Sequence, residues 1–302
     1  MKRRLVILGG GESGVGAALL AKKEGYDVVL MDEGSLKDGY RNELKSSGIE
    51  FLEGAIDEQR LLAADEVVKS PGIPEKNEWV KKIRAKGIPV IGEIELAFRY
   101  KGDSKIVAIT GSNGKSTTTA LIYHIFKTAG LDCALVGNIG YSFAKQVVED
   151  PKPLYVAEIS SFQLDDIVTF RPDIAVLLNI TEDHLDRYDY KFENYIQSKF
   201  RITMNQTTRD YFIYNLDDDI ITQYMKRNPI HSIQLPMSMK QTVKQGGQIQ
   251  NDELNVKVGS EEQSMSIYDF ALKGKHNQYN TMAASVAGAT MDIRKNKIRE
   301  AV

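Results

Sequence analysis

Cysteine and tryptophan each occur once in this chain of 302 residues, at Cys133 and Trp79, and proline only 8 times. A single thiol forms no internal disulfide, so a disulfide-stapled secreted module is excluded and Cys133 reads as a buried thiol in a reducing compartment. Excess charge of one sign is also lacking: 39 Lys and Arg against 41 Asp and Glu leave a net of −2. A balance this even argues against a broad nucleic-acid-binding surface. No apolar run approaches the ~18 residues that span a bilayer. Met1 to Gly9 runs straight into a strand-like segment rather than a signal peptide, and a cytoplasmic protein is expected. With 42% hydrophobic and 26% charged residues the composition fits neither disorder, collagen nor a coiled coil. At ~150 residues per domain the length suggests about two domains.

What the chain has is βαβ rhythm. Short β-branched runs at 4–8, 27–31, 66–69 and 88–91 alternate with amphipathic stretches at 14–24, 36–47 and 77–86, giving about five strands in the first ninety residues and a parallel sheet. Residues 93–100 read as helix, and Lys101-Gly102-Asp103-Ser104 breaks the pattern, so a domain boundary is placed near Gly92, dividing 1–93 from 94–302. The second part repeats the rhythm with strands at 105–109, 154–159 and 174–179 and helices at 115–129 and 192–205. Between Pro229 and Phe270 the texture predicts a small antiparallel patch with a weakly specified loop near Gly246-Gly247. The tail from Asn280 to Val302 is Ala-rich and lacks proline, as a helix would. The expected class is α/β: a Rossmann-like parallel-sheet domain followed by a P-loop ATPase-like α/β domain.

The first strand ends in Gly9-Gly10-Gly11-Glu12-Ser13-Gly14, a G-x-G-x-x-G between strand and helix. Glycines allow a tight turn and close backbone approach, and the helix's free amides can hold a diphosphate. Asp32 ends the second strand, where a carboxylate commonly meets ribose hydroxyls. Spacing alone leaves NAD, FAD and a UDP-sugar open.

The second domain opens with Thr110-Gly111-Ser112-Asn113-Gly114-Lys115-Ser116-Thr117 between a strand and a helix. Backbone amides of such a loop wrap phosphates, Lys115 supplies a cation at the β and γ groups, and the Ser116 or Thr117 hydroxyl joins a Mg²⁺ shell. Against the strict pattern G-x-x-x-x-G-K-[ST], the first glycine comes two residues late. Glu158, at the end of an apolar strand, suits a hard cation at the crevice where such sheets bind ligands. His184 lies just beyond another strand in Thr181-Glu182-Asp183-His184-Leu185-Asp186-Arg187, a metal-site-like cluster. His124, His231 and Trp79 carry no such context and read as surface or packing residues. By pattern alone Lys199 is a solvated helix charge.

Six blocks in order, 110–118, Gly137-Asn-Ile-Gly140, Glu158-Ile-Ser-Ser-Phe-Gln-Leu164, 181–188, Ser198-Lys-Phe-Arg201 and Gly274-Lys-His-Asn-Gln-Tyr-Asn280, resemble the Mur ligase family over nearly the whole chain. The late glycine is how that family writes its phosphate loop. The resemblance is to the branch that adds D-glutamate to UDP-N-acetylmuramoyl-L-alanine, and it implies an ATP-dependent amide ligase of peptidoglycan precursor synthesis acting through an acyl phosphate with two Mg²⁺ ions. On that basis Lys115, Glu158, His184 and Lys199 are the catalytic set. Ser116, Glu158, His184 and Lys199, the last as a carbamate, are expected at the metals. Gly111, Asn113, Gly114, Lys115, Ser116, Thr117, Asn277 and Asn280 are expected at ATP. Gly11, Ser13, Gly14, Val15, Asp32, Ser70, Pro71, Gly72, Asn138, Ser160, Gln163 and His184 are expected at UDP-N-acetylmuramoyl-L-alanine. Glu33-Gly34 departs from relatives that place a hydroxyl and an arginine near the nucleotide. The family continues into a third domain holding much of the D-glutamate site, so a two-domain truncation, a monomer with little ligase activity alone, is expected. The alternatives are an NAD-dependent oxidoreductase, from the first glycine motif, and a non-catalytic nucleotide-binding module, from the phosphate loop.

Overall fold

The structure, a computed structural model, describes residues 2–302. In chain order the elements are β1 (Arg4–Leu8), α1 (Glu12–Lys23), β2 (Asp27–Asp32), α2 (Asp38–Ser46), β3 (Glu50–Glu53), α3 (Glu58–Leu61), β4 (Glu66–Lys69), α4 (Glu78–Ala85), β5 (Val90–Ile91) and α5 (Glu93–Tyr100). They continue with β6 (Lys105–Thr110), α6 (Lys115–Thr128), β7 (Cys133–Gly137), α7 (Phe143–Glu149), β8 (Leu154–Glu158), α8 (Ser161–Asp165), β9 (Ile174–Leu177), α9 (Phe192–Phe200), β10 (Tyr211–Asn215) and α10 (Asp219–Arg227). The last are β11 (Ile233–Ser238), β12 (Gly246–Gln250), β13 (Glu253–Val258), β14 (Glu261–Ser266), α11 (Lys275–Thr290) and α12 (Lys295–Ala301). Two compact units result: Met1–Gly102 with Gly140–Pro151 and Phe162–Phe170, and Asp103–Ile139 with Lys152–Ser161 and Arg171–Val302.

In the first unit five parallel strands run in the order β3-β2-β1-β4-β5. The chain winds outward from β1 to β3, then returns to lay β4 on the other side of β1. That reversal opens a crevice at the carboxyl ends of β1 and β4, where doubly wound sheets bind ligands. Val6, Leu8, Val29, Met31, Val67 and Val90 pack with Leu61 and Ile83 on one face of the sheet, and Trp79 packs against this core. Near-continuous apolar strands of this kind are what a sheet covered on both faces requires.

The second unit carries nine strands in the order β14-β13-β12-β11-β10-β9-β6-β8-β7. β6 through β12 are parallel, and β13 and β14 are antiparallel additions. The antiparallel patch is therefore smaller than 229–270, because β11 pairs in parallel with β10 and extends the main sheet. Gly246-Gly247 is not a loop but the start of β12. A Cβ on Gly246 would stand 2.1 Å from Pro236 O, and one on Gly247 2.7 Å from Met282 Cγ, so the glycines let β12 close on β11 and lie under α11. The tail helix breaks at Asp292, in the left-handed region at φ 55°, and resumes as α12, whose Ile298 is fully buried. Cys133 is buried on β7, and its thiol is pushed up to about 11 by burial.

Candidate active site

β6 lies between β8 and β9, so the chain leaving its carboxyl end emerges at the middle of the sheet. It forms the loop 111–114 and enters α6 with Gly114 at φ 85°. A Cβ on Gly114 would meet Asn280 Oδ1 at 2.5 Å, so glycine here serves both the turn and the approach of α11. The loop is held from both sides. The Asn113 amide donates to Asn179 Oδ1 (2.8 Å) and Asn179 Nδ2 donates to Asn113 O (2.9 Å). The Ser112 hydroxyl sits 3.1 Å from both Thr181 O and the Tyr195 hydroxyl, and it accepts the Thr181 amide at 2.9 Å. Lys115 Nζ reaches back to Gly111 O and Ser112 O, both at 2.9 Å. Burial holds the Lys115 ammonium below the ordinary lysine range, opposed by the charges of Glu158 and Asp183. Ser116 is exposed at the first turn of α6.

Glu158 ends β8 and is 1% exposed. One carboxylate oxygen accepts from Asn138 Nδ2 at 2.7 Å, and the other, Oε2, is buried with no hydrogen-bond partner among the described residues. The Thr110 hydroxyl is in the same condition. Gly137, at φ 103°, lies alongside: a Cβ there would stand 2.3 Å from Glu158 O. A buried carboxylate oxygen without a donor is an unmet demand for a cation or proton. No cluster of three His, Cys, Asp or Glu side chains that could hold an ion by itself occurs among the described residues. A few protein oxygens near a phosphate loop, rather than a closed cage, is the donor set that Mg²⁺ uses when nucleotide phosphates complete its shell.

His184 is half exposed, at φ 50°, with Nε2 3.4 Å from Asp183 Oδ2. Lys199 is buried rather than solvated, and its ammonium lies 4.7 Å from the centroid of the Tyr195 ring. The packing of α9, which a helical charge pattern does not reveal, takes it inside. Ser198 beside it donates to Ser161 O at 3.0 Å and contacts the Tyr188 hydroxyl at 3.2 Å, fastening the loop that carries His184. Asn277 and Asn280 meet on α11 at 3.1 Å, and the Thr118 hydroxyl donates to Asn280 Oδ1 at 3.2 Å, so α11 and α6 share one polar seam.

A cavity of about 580 Å³ opens beside the phosphate loop, lined by Asn113, Gly114, Asn179, Asp217, Tyr279 and Asn280 among others. Asp217 and Tyr279 escaped the sequence reading, as did Asn179. Asp217 accepts from the Ser238 hydroxyl, the Met239 amide and the Tyr279 hydroxyl, each at 2.7 Å, and these donors hold its carboxyl below the usual range against the opposing effect of burial. The signal was Asn215-Leu-Asp-Asp218 closing a strand, as Glu158 closes β8. His124 is exposed on α6, and His231 is exposed in the connection between α10 and β11.

In the first unit, Gly11, Ser13, Gly14 and Val15 open α1, with the Val15 amide bonded to Gly11 O at 2.9 Å and its side chain buried. A Cβ on Gly14 would stand 1.9 Å from Gly9 O. Asp32 spends both oxygens on backbone, accepting Gly10 N at 2.5 Å and Gly34 N at 2.7 Å, so it shapes the turn. Glu33 accepts the Trp79 indole N–H at 3.0 Å. Ser70-Pro71-Gly72 follows β4, with the Ser70 hydroxyl 3.3 Å from Gly9 O. Gln163 is buried in α8 and belongs to this unit, whereas Asn138, Ser160 and His184 belong to the second.

A parallel sheet with a glycine turn at its switch point and a phosphate loop before a buried acid define a nucleotide-binding α/β protein. Comparison with known proteins is more specific: residues 3–92 match the Mur ligase MurD-like N-terminal domain and residues 109–288 the Mur ligase middle domain, and the chain belongs to the Mur ligase family. It is 49% identical over 302 residues to the UDP-N-acetylmuramoylalanine–D-glutamate ligase of Christiangramia forsetii, covering 100% of this chain and 68% of that protein. The ligase of the same name from Bacteroides fragilis is also 49% identical, with 99% and 67% covered. This chain thus spans about two thirds of the length of these curated relatives. Among solved structures, the UDP-N-acetylmuramate:L-alanyl-gamma-D-glutamyl-meso-diaminopimelate ligase of Neisseria meningitides shares the fold at TM-score 0.66 and 19% identity, covering 100% of this chain and 97% of that one. The UDP-N-acetylmuramate–alanine ligase of Thermotoga maritima does so at TM-score 0.56 and 18% identity, with 100% and 68% covered.

Proposed function

We propose that this chain serves the ATP-dependent ligation of D-glutamate to UDP-N-acetylmuramoyl-L-alanine in peptidoglycan precursor synthesis. The observation that carries the reading is the buried, unpartnered Glu158 Oε2 beside the phosphate loop, in a chain 49% identical to ligases of that name. ATP enters the 580 Å³ cavity with its phosphates on the amides of 111–116 and its nucleoside end toward Tyr279 and Asn280. The alanyl carboxylate attacks the γ-phosphorus, giving an acyl phosphate and ADP; the amine of D-glutamate then attacks the acyl carbon and phosphate leaves. Lys115 turns its ammonium from the loop carbonyls to the phosphates. Ser116, Glu158, His184 and a carbamylated Lys199 supply oxygen or nitrogen donors for two Mg²⁺ ions, which when bound neutralise charge on the transferring phosphoryl group. Lys199 is buried on α9, so a carbamate on it would stand inside the protein rather than in solvent.

In this reading the first unit, which includes 1–93, holds the UDP-sugar and the second holds ATP, in a monomeric cytoplasmic protein. Within the first unit, Gly11, Ser13, Gly14, Val15, Asp32, Ser70, Pro71, Gly72 and Gln163 are assigned to the UDP-sugar. No helix among the described residues is long and apolar enough to cross a membrane. The oxidoreductase alternative has only the first glycine motif in its favour, and a nucleotide module without ligase chemistry leaves Glu158 unexplained. Calorimetric titration tests the reading: saturable binding of UDP-N-acetylmuramoyl-L-alanine and of Mg²⁺–ATP is expected, with none of NAD⁺. Binding of NAD⁺ instead of the UDP-sugar would overturn the assignment of the first unit.

A further inference from the structure

The first unit buries an ion pair to which neither motif assigns a role. Lys69 closes β4 with its side chain 2% exposed, and Asp166, one residue past α8, has its side chain 1% exposed; Nζ and Oδ2 are 2.8 Å apart. The same ammonium donates to Ile73 O at 2.9 Å. It thereby spans the foot of the loop 70–72, joining the strand before it to the carbonyl after it. Asp166 is anchored in turn, its carbonyl accepting the Gly92 amide at 3.0 Å and its Oδ1 lying 3.4 Å from Arg84 Nη2. Glu75 completes the surroundings, 3.7 Å from the Lys69 ammonium.

A buried ion pair is a poor device for stability alone, because desolvation offsets most of the attraction and apolar pairs of similar volume often serve as well. Here, however, the close contact joins two segments of one role. Lys69 directly precedes Ser70-Pro71-Gly72, and Asp166 stands three residues, close to one helical turn, after Gln163. Lys69, Pro71, Gln163 and Asp166 line one small enclosed space with Ser13 of the α1 start. We propose that Lys69 and Asp166 are a positioning pair for the UDP-muramyl substrate: the ion pair sets the 70–72 loop against Gln163, and acts through those residues without touching the ligand. The proposal rests on the assignment of the UDP-sugar made above.

The test is a double-substitution cycle on the full chain with Lys69→Met, Asp166→Leu and the two together, read by thermal unfolding and by calorimetry with UDP-N-acetylmuramoyl-L-alanine and separately with Mg²⁺–ATP. Each single substitution strands a buried charge and lowers the melting temperature, whereas the double one strands none at this pair and melts near the parent. The double variant is expected to bind the UDP-sugar about tenfold more weakly, the consequence of a lost preset geometry worth one decade, while keeping its affinity for Mg²⁺–ATP. Where the single variants fold, their losses are no smaller than the double's, since each removes the same pair. Parental UDP-sugar affinity in the double variant overturns the proposal, as does an equal loss for both ligands. A parent chain that binds Mg²⁺–ATP but no UDP-sugar instead overturns the functional reading, and the proposal with it.

Discussion

Glu93 is fully buried at the start of α5, where it accepts the Ser142 hydroxyl at 2.8 Å and the Ala144 amide at 2.6 Å. Burial outweighs those donors and, with the nearby charge of Glu12, pushes its carboxyl up to about 7. The folded state therefore binds this proton more tightly than the unfolded chain, whose carboxyl titrates near 4.5. Its contribution to stability is fully present below pH ~4.5 and is lost as pH rises through about 7, a change on the order of 3 kcal/mol. Glu93→Gln should match the parent near pH 4.5, exceed it at pH 8, and flatten the decline between them. Urea unfolding across that range checks this; an unchanged slope would assign the pH dependence elsewhere. Glu95, two residues on, behaves oppositely. The Val168, Thr169 and Phe170 amides and the Thr169 hydroxyl all donate to it, and they hold its carboxyl below the usual range despite the opposing effect of burial. Neither residue is marked by its sequence context, because desolvation belongs to the surroundings.

At the scale of elements, the cavity beside the loop 111–114 depends on α6 and α11, which are distant in sequence and joined by Thr118, Asn280 and Asn277. Gly114 leaves no room for a Cβ beneath Asn280, so the phosphate loop and the seam are fitted together. Asn280→Ala opens that fit and removes the acceptor from a buried hydroxyl, at a cost of about 1–3 kcal/mol. The expected result is a melting temperature lowered by a few degrees and Mg²⁺–ATP binding weakened about tenfold, with UDP-sugar binding unchanged. Equal weakening of both ligands would mean that Asn280 acts on the fold rather than the pocket. The strand-and-helix alternation and the phosphate loop were legible because apolar period and Gly-Lys-Ser spacing are local. The role of Gly246-Gly247 in β12 was not: glycine pairs usually mark turns, and only the closeness of Pro236 O and Met282 shows why a strand needs them.

At the scale of the molecule, the two units should respond to separate ligands. Each ligand stabilises the fold that binds it, by about 2.7 kcal/mol at a hundred times its dissociation constant. Hydrogen exchange should thus show Mg²⁺–ATP slowing amides of 111–118 and 275–280, and UDP-N-acetylmuramoyl-L-alanine slowing those of 9–15 and 70–73. Protection of 9–15 by ATP alone would reverse the assignment of the two sites.

The sequence by itself determined the α/β class, the glycine turns after β1 and β6, Glu158 at a strand end and the family, because each depends on residue types at short spacing. Only the tertiary structure decided that Lys199 is buried rather than solvated, that Asp32 spends both oxygens on backbone, that Asp217 and Tyr279 line the cavity beside the phosphate loop, and that Lys69 finds Asp166 97 residues away. Burial and pairing across such separations are set by how helices pack on the sheets, and no local pattern encodes the partner.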